Sequence, residues 1–121
     1  MTARRLLVVD DDPNIREMVE MILGDEGYEV TTAGDGATAL ALLDDWQPDL
    51  ILLDMKMPTM DGWEFARHYR RRPGPKAPVI VFTASQDASR RAREVGADGY
   101  VAKPFSIDDL LRTLDAVSSH A

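Results

Sequence analysis

Four apolar runs in this chain end on residues suited to phosphate or divalent-metal chemistry, and no other feature restricts its fold so tightly. Leu6-Leu7-Val8-Val9 leads into Asp10-Asp11-Asp12, and Leu50-Ile51-Leu52-Leu53 leads into Asp54. Val79-Ile80-Val81-Phe82 ends at Thr83, while Tyr100-Val101-Ala102 ends at Lys103-Pro104. Val/Ile/Leu runs without polar alternation suit strands whose sheet is covered by helices on both faces. The pattern predicts strands near 5–10, 28–33, 49–54, 78–83 and 99–102. Between them the apolar spacing becomes helical. Ile15, Met18, Val19, Ile22 and Leu23 follow it, with Pro13 in the first turn and Gly27 past the end. Ala37, Leu40, Ala41 and Leu43 mark a second helix, and Phe65, Ala66 and Tyr69 a third. A polar stretch near 87–95 is the fourth. Ile107, Leu110, Leu111 and Leu114 form the fifth, with Ser106 as its N-cap. The prolines of segment 70–78 predict a loop. Alternating strands and helices predict right-handed crossovers and an α/β doubly wound parallel sheet. Such sheets bind ligands outside the carboxyl ends of their strands, so the four run ends converge on one site.

Composition works mainly by exclusion. The 121 residues accommodate one domain with a substantial core. A net charge of −7 argues against a nucleic-acid surface, which needs a basic face. Without cysteine there is neither a disulfide nor a thiolate metal site, and two histidines make zinc improbable. The apolar run behind Met1 to Arg5 is too short for a secretory signal, and no stretch approaches the roughly 18 apolar residues of a membrane span. The expectation is a cytoplasmic protein with no direct nucleic-acid contact and no membrane insertion.

Asp10, Asp11 and Asp54 at neighbouring strand ends would repel one another, and a hard divalent cation relieves that repulsion. Oxygen ligands with retained waters are what Mg²⁺ prefers. Lys103 supplies a point charge suited to a phosphoryl oxygen or a carboxylate, and Thr83 supplies a hydroxyl donor. A carboxylate can itself attack phosphorus to give an aspartyl phosphate. Asp12 is expected to be a turn or helix-entry residue rather than a ligand. Met55, Met57 and Met60 read as loop packing, Trp46 and Trp63 as partly buried anchors, and His68 and His120 as solvated side chains. Arg90, Arg91 and Arg93 read as a wet helix face.

In their order, Val8-Val9-Asp10-Asp11, Leu53-Asp54-Met55-Lys56-Met57-Pro58 with Asp61-Gly62, Phe82-Thr83-Ala84 and Tyr100-Val101-Ala102-Lys103-Pro104-Phe105 make a specific set. Through it the whole chain resembles a receiver domain of bacterial two-component response regulators, of the single-domain chemotaxis type. The resemblance implies a flavodoxin-like (βα)5 sheet in the order 2-1-3-4-5, spanning 1–121 as one receiver domain with no output domain. It implies that Asp54 accepts a phosphoryl group from a sensor histidine kinase or a histidine phosphotransfer protein. Asp11, Asp54 and the backbone carbonyl of Lys56 would hold Mg²⁺, with Asp10 acting largely through water. Lys103 would contact the phosphoryl group, and its bond to Pro104 would be cis. Thr83 and Tyr100 would form a switch that alters the face made by helix 4, strand 5 and helix 5. Such a protein catalyses only its own phosphorylation and dephosphorylation, acts on an unidentified downstream protein, and is a monomer or a weak phosphorylation-dependent dimer. Lys56 departs from the commoner neutral or amide side chain, which leaves the phosphate lifetime open.

Three other readings compete. Asp10-Asp11-Asp12 contains the Asp-x-Asp spacing of haloacid-dehalogenase-like phosphohydrolases, although Pro13-Asn14 follows it where a hydroxyl residue is expected. A flavodoxin-like FMN binder shares the sheet order, but three aspartates would repel the phosphate. The chain can also be the receiver fragment of a longer multidomain regulator.

Overall fold

A computed structural model describes residues 4–57, 59–84 and 88–118. Pro58 of the fingerprint and His120 lie outside the described residues. Strands β1 (Arg5–Val9), β2 (Glu29–Ala33), β3 (Leu50–Leu53), β4 (Val79–Ala84) and β5 (Gly99–Lys103) alternate with five helices. These are α1 (Pro13–Asp25), α2 (Gly36–Leu42), α3 (Gly62–Arg71), α4 (Ala88–Val95) and α5 (Ile107–Ser118). All strand pairs are parallel and the order is β2-β1-β3-β4-β5, as the resemblance implies.

Successive residues of a strand point to opposite faces, so the runs of β1, β3 and β4 each feed two separate cores. Leu7, Val9, Ile51, Leu53 and Val81 pack with Ala39, Leu43, Phe65, Tyr69, Ala92 and Val95 of the α2, α3 and α4 side. Leu6, Val8, Leu50, Leu52, Ile80 and Phe82 pack with Val19, Leu23, Leu110, Leu114 and Val117 of α1 and α5. This is why the runs show no polar alternation. Both faces are buried.

The loops that carry polar residues double as helix caps. Asp12, Asp35 and Asp61 accept the N–H groups of Asn14, Thr38 and Glu64 at 2.9, 2.7 and 2.9 Å, and Ser106 accepts that of Asp109 at 3.0 Å. Gly27, at φ 94°, closes α1, and Tyr28 N–H returns to the Leu23 carbonyl at 3.0 Å. Gly62 opens α3 hard against the loop behind β3. A Cβ there would lie 2.7 Å from Met55 Cα and 2.8 Å from the Asp54 carbonyl oxygen, so only glycine permits this approach.

Three sequence expectations change. Segment 70–78 is not loop throughout: α3 runs to Arg71, and Arg72 turns extended as its C-cap. Pro73 restricts the residue before it, not the two before that. In α2 the buried stripe is Gly36, Ala39 and Leu43, with Ala37 and Ala41 exposed, because an alanine-rich helix carries little phase information. Ile107 begins the stripe of α5 yet is 51 % exposed, since the helix enters beyond the edge of the sheet core. The cis Lys103–Pro104 bond is as expected.

Candidate functional site

The carboxyl ends of β1, β3, β4 and β5 meet above the sheet, and the parallel register explains how. Val9 pairs with Leu53, Leu53 with Val81, and Thr83 with Ala102, so the next residues of these strands rise from one edge. Asp10 is fully buried, Asp54 is 5 % exposed and Thr83 is 3 % exposed, which makes them the buried polar side chains among the described residues. Burying charge is unfavourable unless it is paired, and here it is paired across the whole chain. Lys103 Nζ donates to Asp10 Oδ2 at 2.6 Å and lies 3.6 Å from Asp54 Oδ2. It also sits over the Phe82 ring, 4.8 Å from its centroid. Asp10 Oδ1 accepts the Asp12 N–H at 2.9 Å, and Asp54 Oδ1 accepts the Lys56 N–H at 3.3 Å.

Carboxylate oxygens of Asp10, Asp11 and Asp54 lie within 4.8 Å of one another, and Asp11 is the exposed member. An all-oxygen anionic set open to water on one side fits a hard divalent cation that keeps part of its hydration shell. Burial leaves the Asp54 carboxylate poorly stabilised as an anion. Its pKa is raised to about 6 from 3.8, first by burial, then against the opposing pull of Lys103, with Asp10 and Asp11 adding to the rise. A cation or an esterified oxygen removes the strain of holding this carboxylate ionised.

Every predicted site residue lies at this end of the sheet except one. Thr83 is the last residue but one of β4. Tyr100, its expected companion, is 49 % exposed on the edge strand and pairs in register with Val81, two residues short of Thr83. It stands between two grooves. One of about 320 Å³ is lined by Ser89, Ala92, Arg93 and Gly96, and another of about 600 Å³ by Pro104, Asp109, Arg112 and Thr113. Met55 is fully buried and Met57 nearly so, as loop packing. Asp12 is the α1 cap, which occupies the second carboxylate a phosphohydrolase would use as its acid.

Two arrangements were invisible in the sequence. Trp63 Nε1 donates to Glu94 Oε1 at 3.2 Å while Arg91 stacks 4.9 Å from the Trp63 centroid, which ties the start of α3 to α4. Arg16 Nη1 donates to the Asp10 carbonyl at 2.7 Å. Neither falls in an apolar or acidic pattern: the first joins α3 to α4 across 31 residues, and the second runs from a side chain to a backbone carbonyl six residues earlier.

Known proteins are similar to nearly the whole of this chain. Residues 6–115 match the response regulator receiver domain family. The probable transcriptional regulatory protein TcrX of Mycobacterium tuberculosis is 41 % identical over 114 residues, covering 93 % of this chain and 48 % of that protein. The chain thus spans about half the length of the curated relatives it matches. Among solved structures, the chemotaxis response regulator CheY4 of Vibrio cholerae superposes with a TM-score of 0.87 at 39 % identity, covering 96 % of this chain and 99 % of that one. The response regulator TrrA of Thermotoga maritima, solved in complex with Mg²⁺ and BeF, gives 0.82 at 38 % identity, covering 94 % and 98 %.

Proposed function

Because the chain belongs to the response regulator receiver domain family, we propose that Asp54 is its phosphoacceptor, served by Lys103 and Thr83. The carrying observation is the buried Asp54 carboxylate, held 3.6 Å from Lys103 Nζ with its pKa raised to about 6. One Asp54 oxygen attacks the phosphorus of a phosphohistidine. The new O–P bond forms as the N–P bond breaks, and the imidazole nitrogen takes the electron pair and then a proton. Lys103 offsets charge on the incoming phosphoryl oxygens, and the Thr83 hydroxyl donates to one of them. Asp11, Asp54 and the Lys56 carbonyl would hold Mg²⁺, with Asp10 behind them. When bound, Mg²⁺ supplies further neutralisation of the transferred group. Asp10 differs from the sequence expectation in emphasis: its main partner is Lys103, which makes it an anchor for that ammonium.

Partners follow the same logic. A histidine kinase or histidine phosphotransfer protein donates the phosphoryl group, and a downstream protein reads the α4–β5–α5 face. The proposal of no nucleic-acid contact concerns these 121 residues alone. A relative about twice as long is called a probable transcriptional regulatory protein, and the multidomain reading stands beside the free-standing one. Among the described residues no helix is long and apolar enough to cross a membrane. The phosphohydrolase reading lacks support once Asp12 is the α1 cap.

Thr83 and Tyr100 are proposed as the switch. With Mg²⁺ and beryllium fluoride, a mimic of an acyl phosphate, wild type should show altered amide exchange along β4, α4 and β5. Thr83→Ala should bind the mimic yet lose most of the change around Tyr100. Equal exchange changes in both proteins would remove Thr83 from the coupling.

A further inference from the structure

The acidic loop is held by a residue that belongs to neither the acids nor the phosphoryl-binding set. Asp10 lies one residue beyond β1 and is fully buried. Its N–H is fixed to the Ala33 carbonyl at 3.0 Å and its Oδ1 to Asp12 N–H at 2.9 Å. Its own carbonyl accepts from Arg16 Nη1 at 2.7 Å. A buried carbonyl left unpartnered is unfavourable, and a charged donor makes the stronger bond. Among the described residues Arg16 makes no ion pair; its guanidinium is directed to backbone. The peptide group is planar, so holding the Asp10 carbonyl fixes the plane from which Asp11 departs.

Gly34, one residue past β2, provides the seat. It is not among the positive-φ glycines, so backbone conformation does not demand it. A Cβ there would lie 3.2 Å from Arg16 Nη1 and 3.6 Å from Cζ, so an added methyl group would push the guanidinium aside by a few tenths of an ångström. From this geometry we infer that Arg16, seated against Gly34, is a positioning residue for the metal site. It orients the Asp10–Asp11 peptide so that the exposed Asp11 carboxylate joins Asp54. The inference rests on the reading that Asp11 and Asp54 hold Mg²⁺.

The test is calorimetric titration of the whole chain with Mg²⁺ at pH 7.5, with thermal unfolding in EDTA as the check on folding. Arg16→Met should bind Mg²⁺ roughly tenfold more weakly, the size expected when a group orienting a ligand is lost. Arg16→Lys should fall between the two. Gly34→Ala keeps every polar group, so it tests the seat even if Arg16→Met folds poorly. It should weaken binding less than Arg16→Met does, and it should have no effect in the Arg16→Met background. Wild-type affinity in Arg16→Met, or the same loss from Gly34→Ala in both backgrounds, would overturn the inference. Asp11→Asn separates the two levels. If it alone loses Mg²⁺ binding while Arg16→Met does not, only the positioning role fails; if it binds like wild type, the metal reading fails and takes the inference with it.

Discussion

Asp54→Asn is expected to take up no acid-labile phosphate from a phosphodonor in the presence of Mg²⁺, and to unfold at a higher temperature than wild type at pH 7.5. The first outcome follows from removing the nucleophilic oxygen that no neighbouring carboxylate replaces: Asp10 is committed to Lys103, and Asp11 faces solvent. The second follows from the raised pKa. Asp54 holds its proton more tightly in the native state, with a pKa of about 6, than at its ordinary 3.8. Native stability therefore falls as pH rises from 3.8 through 6, and the ionised carboxylate is a liability above that. At about 1.4 kcal/mol per pKa unit the full effect is on the order of 3 kcal/mol. The asparagine variant escapes it, so the two proteins should converge in stability below about pH 4 and diverge above 6. Saturating Mg²⁺ should narrow the gap by stabilising wild type alone. Thermal melts across pH, with and without Mg²⁺, read all of this. A variant no more stable than wild type at pH 7.5 would contradict the burial argument.

Lys103→Ala should do the reverse. It leaves a fully buried Asp10 without its cation and removes the charge that opposes the rise in the Asp54 pKa. Breaking one side of a buried pair typically costs 3–5 kcal/mol. Lys103 is 21 % exposed and solvent screens part of its charge, so a loss of about 3 kcal/mol, or roughly 10 °C in Tm, is expected at pH 7.5. The loss should shrink toward pH 4 as Asp54 takes up its proton. Mg²⁺ binding should persist, because the acids remain. Phosphorylation of Asp54 should slow roughly 10²-fold, the usual effect of deleting one donor to a developing charge. Wild-type melting and labelling rates would show that Lys103 is only a surface ammonium.

Much of this fold was legible because its apolar runs are long, unbroken and end in polar chemistry. Leu50 to Leu53 reads as a doubly covered strand, which places Asp54 at its carboxyl edge. The less legible parts have physical reasons. The α2 face was misphased because Ala37 and Ala41 resemble Ala39 in sequence but not in burial. The end of α3 was placed too early because Pro73 acts only on Arg72. Within the site, the identities of the acids, the hydroxyl and the lysine were readable, but the partnership of Lys103 with Asp10 was not, since it joins residues 93 positions apart. Arg16 escaped notice altogether. Its partner is a carbonyl, and carbonyls leave no mark on a sequence.

The account depends on one covalent event at one oxygen. Wild-type protein treated with acetyl phosphate and Mg²⁺, then digested and mapped by mass spectrometry, should carry a single acid-labile phosphoryl group on the peptide containing Asp54, and none after the metal is chelated beforehand. A phosphoryl group mapped to Asp10, Asp11, Asp12 or Thr83, or labelling of Asp54 that is indifferent to chelation, would contradict it.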